Sequence, residues 1–217
     1  MKSEEVAKYL QDNPQFFEEH ADMMSRLVIP HPHGGRTISI TERQMLSLRD
    51  KNKQLEAKMG ELLEYGEEND TISEKMHRLA VAMIVAATFQ SILHTLNFHL
   101  RDDFSIPHVA VRLWVRPENL DELPEFADVS EELQSFAETL SQPYCGSTSG
   151  FETSSWFGEA STHVRSQALI AMRNGGGTIG LIALGSEEPQ RFYAGMGTLY
   201  LERLGEMASA ALARAIR

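Results

Sequence analysis

Two apolar runs near the C-terminal end limit the fold of this 217-residue chain more than any other feature. Residues 167–173 and 178–185 are joined by residues 174–177, which read Asn-Gly-Gly-Gly. Asparagine and glycine tolerate the positive φ angles that a tight turn between two strands requires. The pattern therefore predicts a β-hairpin, and with it an antiparallel sheet, in this half of the chain.

A further strand is indicated before the hairpin, because the period of the apolar residues changes there. Every second residue from 109 to 115 is aliphatic, which predicts a strand with one buried face. Arg112 and Trp114 fall on the opposite face. A short helix is expected from residue 130 to about 140, and its core face would be formed by Leu133, Phe136, Ala137 and Leu140.

The remaining C-terminal residues are expected to form a loop and a helix. Residues 143–158 are polar and rich in glycine and serine, so they are interpreted as a long loop. Residues 192–217 have mostly helical spacing. Gly205, Ala208 and Ala211 fall on one side of this terminal helix, where their small size would let another helix approach closely.

The first 68 residues are interpreted as a helical extension, and residues 69–217 as the globular domain. Two short helices are expected within residues 3–27, the first capped by Ser3. The prolines and glycines of residues 29–36 exclude regular structure there. Thr41 and Gln44 then form a capping box, which predicts the start of a long helix.

This long helix carries a seam that is typical of a coiled coil. Met45, Leu48, Asn52, Leu55, Met59 and Leu62 follow one another at alternating spacings of three and four residues. Such a seam predicts a dimer, in which a buried asparagine fixes the register. An asparagine facing solvent on an ordinary amphipathic helix is the alternative.

A polar stretch follows the seam, and a second capping box follows the stretch. Residues 66–70 interrupt the apolar pattern, and Thr71 and Glu74 are placed to start a new helix. The sequence is compatible with one long helix that changes its buried face here. It is equally compatible with two helices that meet at a hinge.

The charge of the chain excludes some classes of partner. There are 20 Lys and Arg against 31 Asp and Glu, a formal net charge of −11. Nucleic-acid binding depends on neutralising phosphates, so neither nucleic acid nor an anionic membrane is expected as a partner. No apolar run approaches the length of about 20 residues that spans a bilayer, and the acidic N-terminal residues do not resemble a secretory signal. A cytoplasmic location is expected.

Several segments resemble a known family. The runs at 168–172 and 179–186, followed by Pro-Gln-Arg-Phe at 189–192, resemble the end of a GAF domain. More widely, the chain resembles an uncharacterised bacterial family of GAF-like proteins (domain of unknown function 484) in residues 29–31, 34–35, 41–44, 111–114, 143–146 and 196–201. The resemblance implies an α+β fold, with a GAF-like antiparallel sheet and flanking helices behind the helical extension. It also implies a small-molecule sensor or a dimerising regulatory module.

A ligand site is expected on the sheet face that carries Arg112. In GAF domains the segment that corresponds to the polar loop closes over the ligand face of the sheet. An apolar cavity with a few aromatic and charged groups is the usual small-molecule site, and an arginine favours an anionic ligand. The candidate ligand-binding residues are Arg112, Trp114, Tyr144, Cys145, Trp156 and Phe157. The alternative is that the aromatic side chains fill the cavity and that Arg112 pairs with a carboxylate.

The other motifs do not indicate a catalytic or metal site. Gly175, Gly177 and Gly180 match G-x-G-x-x-G, but they lie in a predicted hairpin and not between a strand and a helix. His31 and His33 flank a proline and have no matching carboxylate cluster. Cys145 is the one cysteine, which excludes an intrachain disulfide and a resolving partner for redox chemistry.

Three functions follow from these residues, with no cofactor indicated for any of them. The first is a non-catalytic, cytoplasmic, dimeric sensor that binds a small molecule and signals through its helices. The second is a ligand-free scaffold that recruits a protein partner. The third is an enzyme that depends on Cys145, for which no nearby base or cation is evident in the sequence.

Overall fold

A computed structural model describes residues 2–30, 37–115 and 123–216 of the chain. The chain divides into two compact units, Met1–Glu67 and Glu68–Arg217. The first unit contains short elements that precede a long helix; they are α1 (Ser3–Asp12), α2 (Gln15–Glu19), α3 (Ala21–Arg26) and the antiparallel pair β1 (Val28–Pro30) and β2 (Thr37–Ser39).

These short elements differ from the predicted ones in three respects. There are three short helices before β1, where two were expected. Ser3 is the first helical residue of α1, and Lys2 stands at the cap position. Ile29 and Pro30 are paired in β1, so the expectation of irregular structure was wrong for them. Residues 31–36, which include His31 and His33, lie outside the described residues.

The long helix α4 (Ile40–Val85) is continuous over 46 residues. The polar stretch 66–70 lies inside it, so the sequence signal at Thr71 does not start a new helix. The next helix, α5 (Phe89–Asp102), begins after Thr88 instead. The Thr88 hydroxyl oxygen accepts a 3.2 Å hydrogen bond from the Ser91 backbone N–H, and Thr88 N–H donates to Ser91 Oγ at 3.0 Å. This capping box stabilises the start of α5.

The second unit is built on a four-stranded antiparallel sheet. Its strands are β3 (His108–Leu113), β4 (Tyr144–Ser147), β5 (Ser166–Asn174) and β6 (Gly177–Ser186), in the order β3-β6-β5-β4. The predicted hairpin is confirmed as β5 and β6. Gly175 and Gly176 have φ angles of 60° and 94°, as the glycine-rich turn predicted.

Both faces of the sheet are covered by helices. One face packs on α5, on the C-terminal part of α4 and on α7 (Leu199–Ile216); its buried side chains include Leu79, Leu96, Val111, Ile170, Ile182 and Leu204. The other face packs on α6 (Glu131–Thr139), through Leu133 and Ala137. The Ser130 hydroxyl caps α6 by accepting from Leu133 N–H. The α+β class and the flanking helices are therefore confirmed.

Two expectations for the second unit were wrong. The polar segment after Pro143 is not a continuous loop, because residues 144–147 pair with β5 as an edge strand. The terminal helix begins at Leu199, and Phe192 is buried before it. On the small side of that helix, Gly205 packs on β5, since a Cβ there would stand 2.6 Å from Ile170 Cγ2. Helix α7 also contacts α5.

Candidate functional site

The sheet face that carries Arg112 combines small residues with two buried leucines. The small residues are Ala110, Gly146, Ala171, Ala183 and Gly185, and Leu181 lies directly opposite Arg112, with Leu169 on the next strand. This face is covered by α6 and by a run of 3-10 turns, Glu152–Thr162, called the roof segment below. Aromatic side chains of the roof segment pack on this face, and Phe157 comes close to the backbone at Gly185.

Arg112 lies on β3 beneath the first of these aromatic side chains. Its guanidinium carbon is 5.0 Å from the centre of the Trp156 ring, a cation–π distance. Nη1 also donates to the Val111 carbonyl at 3.0 Å. Burial lowers the pKa of Arg112, and the field of Glu125 partly opposes this shift. Within the described ranges no carboxylate oxygen lies within 4.0 Å of the guanidinium. The alternative, in which Arg112 pairs with a carboxylate, is therefore not seen among the described residues.

His108 belongs to the same site, and the sequence analysis missed it. It lies four residues before Arg112 on β3, on the same face of the sheet and opposite Gly185, with Ala110 between them. Its Nε2 atom is buried and has no hydrogen-bond partner among the described residues. Glu187 Oε1 is 3.8 Å away, beyond hydrogen-bond distance. The two-residue period of the strand would have identified His108, had it been continued one step before Ala110.

Phe157 covers His108 as Trp156 covers Arg112. The Phe157 and His108 rings have their centres 6.0 Å apart. A Cβ at Gly185 would stand 2.9 Å from Phe157 Cζ, so this ring already fills the space over the glycine. The cavity-filling alternative is therefore seen at Phe157, while Arg112 and His108 keep polar groups on the same face.

A buried polar pair fixes the roof segment to the sheet. Thr153 and Gln167 are both fully buried, and Thr153 Oγ1 donates to Gln167 Oε1 at 2.7 Å. A buried hydrogen bond of this kind is costly to break, because either group would be left unsatisfied. At Gly158 the roof segment has φ +61°, which separates its two helical turns. The pair anchors the part of the segment that precedes Trp156.

Trp114 lies on the same sheet face as Arg112, two residues further along the chain, whereas Tyr144 lies at the opposite edge of the sheet. The Trp114 indole Nε1 donates to the Thr178 carbonyl at 2.7 Å, which holds the ring at the end of the sheet. Tyr144 lies on β4, and its ring centre is 4.9 Å from that of Phe151. Because β3 and β4 are the two edges of the sheet, three strand spacings of about 4.8 Å separate them by about 14 Å. Tyr144 therefore belongs to a separate aromatic cluster with Phe136 and Phe151.

Cys145 does not join the candidate site. The alternation of β4 places it on the other face of the sheet, in the helix-covered core. Burial raises the pKa of its thiol to about 11. A thiol in such surroundings is neutral at pH 7, which is the opposite of what a nucleophile requires.

The thiol gives a test of this placement by pH. The unfolded chain ionises Cys145 near its ordinary pKa of 9.0, and the folded chain only near 11. The folded state therefore holds this proton more tightly, and we expect stability to fall as the pH rises from 9 to about 11. Urea unfolding at pH 8 and pH 10.5 measures the loss. The loss should be smaller in Cys145→Ser, and an equal loss in both proteins would place the thiol in water.

Two further observations concern a membrane span and a metal site. None of the helices in the described ranges is long and apolar enough to cross a membrane. Among the same residues, no group of three or more His, Cys, Asp or Glu side chains is arranged to hold a metal ion.

Comparison with known proteins identifies the family. A family model described as "Protein of unknown function, DUF484" matches residues 1–216. The chain belongs to the DUF484 family. This confirms the resemblance that was inferred from the segments of the sequence. The chain is also 27% identical to the uncharacterized protein YigA of Salmonella typhimurium, over 98% of this chain and 91% of that protein. It is 26% identical to YigA of Escherichia coli, over 96% and 90%.

Two solved structures are similar to the DUF484 chain over part of its length. One is a free methionine-R-sulfoxide reductase from Neisseria meningitidis in complex with its substrate, with 15% identity, a TM-score of 0.48 and coverage of 66% of this chain and 89% of that one. The other is the GAF domain of the potassium sensor histidine kinase KdpD from Escherichia coli, with 15% identity, a TM-score of 0.41 and coverage of 66% and 94%. Both TM-scores lie below 0.5, so neither likeness by itself shows a shared fold.

Proposed function

We propose that this DUF484 protein is a non-catalytic, cytoplasmic, dimeric sensor that binds a small anionic molecule on the face of β3. The observation that carries the proposal is the Arg112 guanidinium, half-buried against Trp156 and without a described carboxylate in contact. A desolvated cation of this kind costs stability unless something neutralises it. A bound carboxylate or phosphate would do so through paired hydrogen bonds.

His108 supplies a second polar group on the same face of β3. It stands about 13 Å from Arg112 along the strand, with Ala110 between them, so a ligand that contacts both side chains would have to lie over Ala110. The orphaned Nε2 of His108 is a further hydrogen-bonding group for that ligand. Trp156 and Phe157 would cover it, and opening of the roof segment would admit it.

Contacts between helices support a route by which the bound state could be read out. Strand β5 packs on α7 at Gly205. In turn, the Tyr200 hydroxyl of α7 donates to the Asn69 carbonyl of α4 at 3.0 Å and lies 2.8 Å from Ser73 Oγ. A shift of the sheet on ligand binding would therefore move α7, and with it α4.

The test compares wild-type protein with Arg112→Met and Arg112→Lys. Native mass spectrometry of protein purified from its host detects a bound compound, and thermal shift against a panel of small carboxylates and phosphates measures binding. We expect binding to wild-type protein, at least tenfold weaker binding to Arg112→Met and an intermediate result for Arg112→Lys, which keeps the charge. We also expect the melting temperature of Arg112→Met without ligand to equal or exceed that of wild-type protein, because a buried charge is removed.

Two results would contradict the proposal. Equal binding to wild-type protein and Arg112→Met would show that the arginine does not hold the ligand. A protein that carries no compound and responds to none of the panel would favour the ligand-free scaffold. That alternative has its own support in Phe157, whose ring occupies the space over Gly185.

A further inference from the structure

The seam of α4 is an exposed apolar stripe. Five side chains of the seam are 53–69% exposed, and they are Met45, Leu48, Leu55, Met59 and Leu62. Leu63 and Tyr65 are exposed beside it and widen the stripe. A helix with such a stripe gains its stability by burying it against a partner.

We infer that this stripe pairs with the same stripe of a second copy, in a parallel and in-register two-stranded coiled coil. The inference rests on the dimer in the proposed function and specifies its interface and orientation. Two features of the seam, its flanking charges and its one asparagine, select a second copy as the partner and parallel as the orientation.

The flanking charges are complementary in the parallel arrangement. With Met45 and Leu48 at heptad positions a and d, Lys51 falls at position g and Glu56 at position e of the next heptad. In a parallel dimer these two positions face each other across the seam. Lys51 of each copy then meets Glu56 of the other, which forms two symmetric ion pairs.

The antiparallel arrangement lacks this complementarity. When the two helices run antiparallel with Met45 opposite Leu62, Lys51 lies beside Lys58 of the second copy and Arg49 lies beside Glu56. The repulsion between the lysines then offsets the attraction between Arg49 and Glu56. Each exposed ion pair contributes little to affinity. The two arrangements bury the same apolar area, however, so the difference in their charge-pair energies favours the parallel one.

Asn52 favours the parallel arrangement independently. It occupies position a in the middle of the seam. In a parallel, in-register pair the two Asn52 amides meet and can hydrogen-bond to each other. In the antiparallel pair each amide faces a leucine and is buried without a partner, which costs stability.

Single cysteines at the ends of the seam distinguish the orientations. In the full-length chain with Cys145→Ser, we place one cysteine by Met45→Cys or by Leu62→Cys and oxidise mildly. In a parallel dimer each variant brings its two cysteines together, within the Cα separation that a disulfide allows. We expect each variant alone to give a disulfide-linked dimer, and their mixture to give no linkage between positions 45 and 62, which lie about 25 Å apart along the helix.

The opposite pattern overturns the inference. If only the mixture is linked, the pair is antiparallel. If light scattering of the unmodified chain shows a monomer, or if neither variant is linked, the stripe does not pair with itself. Ligand binding is measured separately through Arg112, so failure of the sensor proposal and failure of this interface give different results.

A charge exchange provides the matched control for the pairing. Lys51→Glu places like charges across the seam, and we expect the dimer to dissociate roughly tenfold more readily. Adding Glu56→Lys restores two opposite-charge pairs and should restore the wild-type dissociation constant. A double variant that remains as weak as Lys51→Glu would contradict the assigned pairing.

Discussion

Replacing Gly180 by alanine is expected to destabilise the protein by about 3 kcal/mol, roughly a hundredfold in the folding equilibrium. Gly180 lies on β6, one of the two inner strands of the sheet, opposite Leu113 on β3 and Met172 on β5. An added Cβ would stand 2.6 Å from Leu113 Cδ2 and 2.7 Å from Met172 Cε, and it would also meet the backbone carbonyl of Arg112. The side chains can rotate away, but the carbonyl moves only if the β3–β6 ladder opens.

Gly177→Ala is the matched control for this prediction. Gly177 begins the same strand, has no atom within 4 Å of an added Cβ and has no positive φ angle. We expect its free energy of unfolding, measured by urea titration with the same slope, to stay within about 0.5 kcal/mol of wild type. Equal losses in the two variants would show that the sheet tolerates the close approach at Gly180.

The hairpin could be predicted because its signals are local. Both strands are apolar, and residues 174–177 supply the turn chemistry between them, so no distant contact had to be known. Helix α6 was predicted for the same reason, since the spacing of its core face lies within one short segment. Local spacing is sufficient for such an element.

Strand β4 could not be predicted from its own residues. Tyr-Cys-Gly-Ser is short and polar. It forms a strand because it pairs with residues 166–169 of β5, at the edge of the sheet. The start of α7 at Leu199 was also missed, because the helical spacing extended back to Phe192, which is buried in the core before the helix begins. At β4 a tertiary contact overrides a weak local preference.

Strand alternation predicted the part of the candidate site that lies on β3. It placed Arg112 correctly opposite the aliphatic face, and the roof segment does bring Trp156 and Phe157 to that strand. Tyr144 and Cys145 were grouped with them because a loop can approach any part of a sheet. Once residues 144–147 are an edge strand, alternation sends the two side chains to opposite faces.

Arg214→Met is expected to destabilise the protein by about 2 kcal/mol and to loosen the end of α4. The Arg214 side chain of α7 donates from Nη2 to the carbonyls of Ala86, at 2.6 Å, and Met83, at 3.2 Å. Nη1 donates to the Ile84 carbonyl at 3.4 Å. The last carbonyls of a helix have no partner within the helix, and a cation there also opposes the negative end of its dipole.

The variant tests more than stability, because Arg214 and Tyr200 are the polar contacts by which α7 holds α4. If α4 carries the signal, loosening its end should also weaken any effect of ligand on the helix. Hydrogen exchange of residues 79–86 measures the loosening. We expect the exchange of this segment to be faster in Arg214→Met than in wild-type protein, and the exchange of β5 to change less. Arg203→Met is the control, since Arg203 lies on the same helix with its guanidinium 5.8 Å from the Tyr200 ring and should cost less than about 1 kcal/mol. Unchanged exchange in Arg214→Met would show that apolar packing alone holds the end of α4 in place.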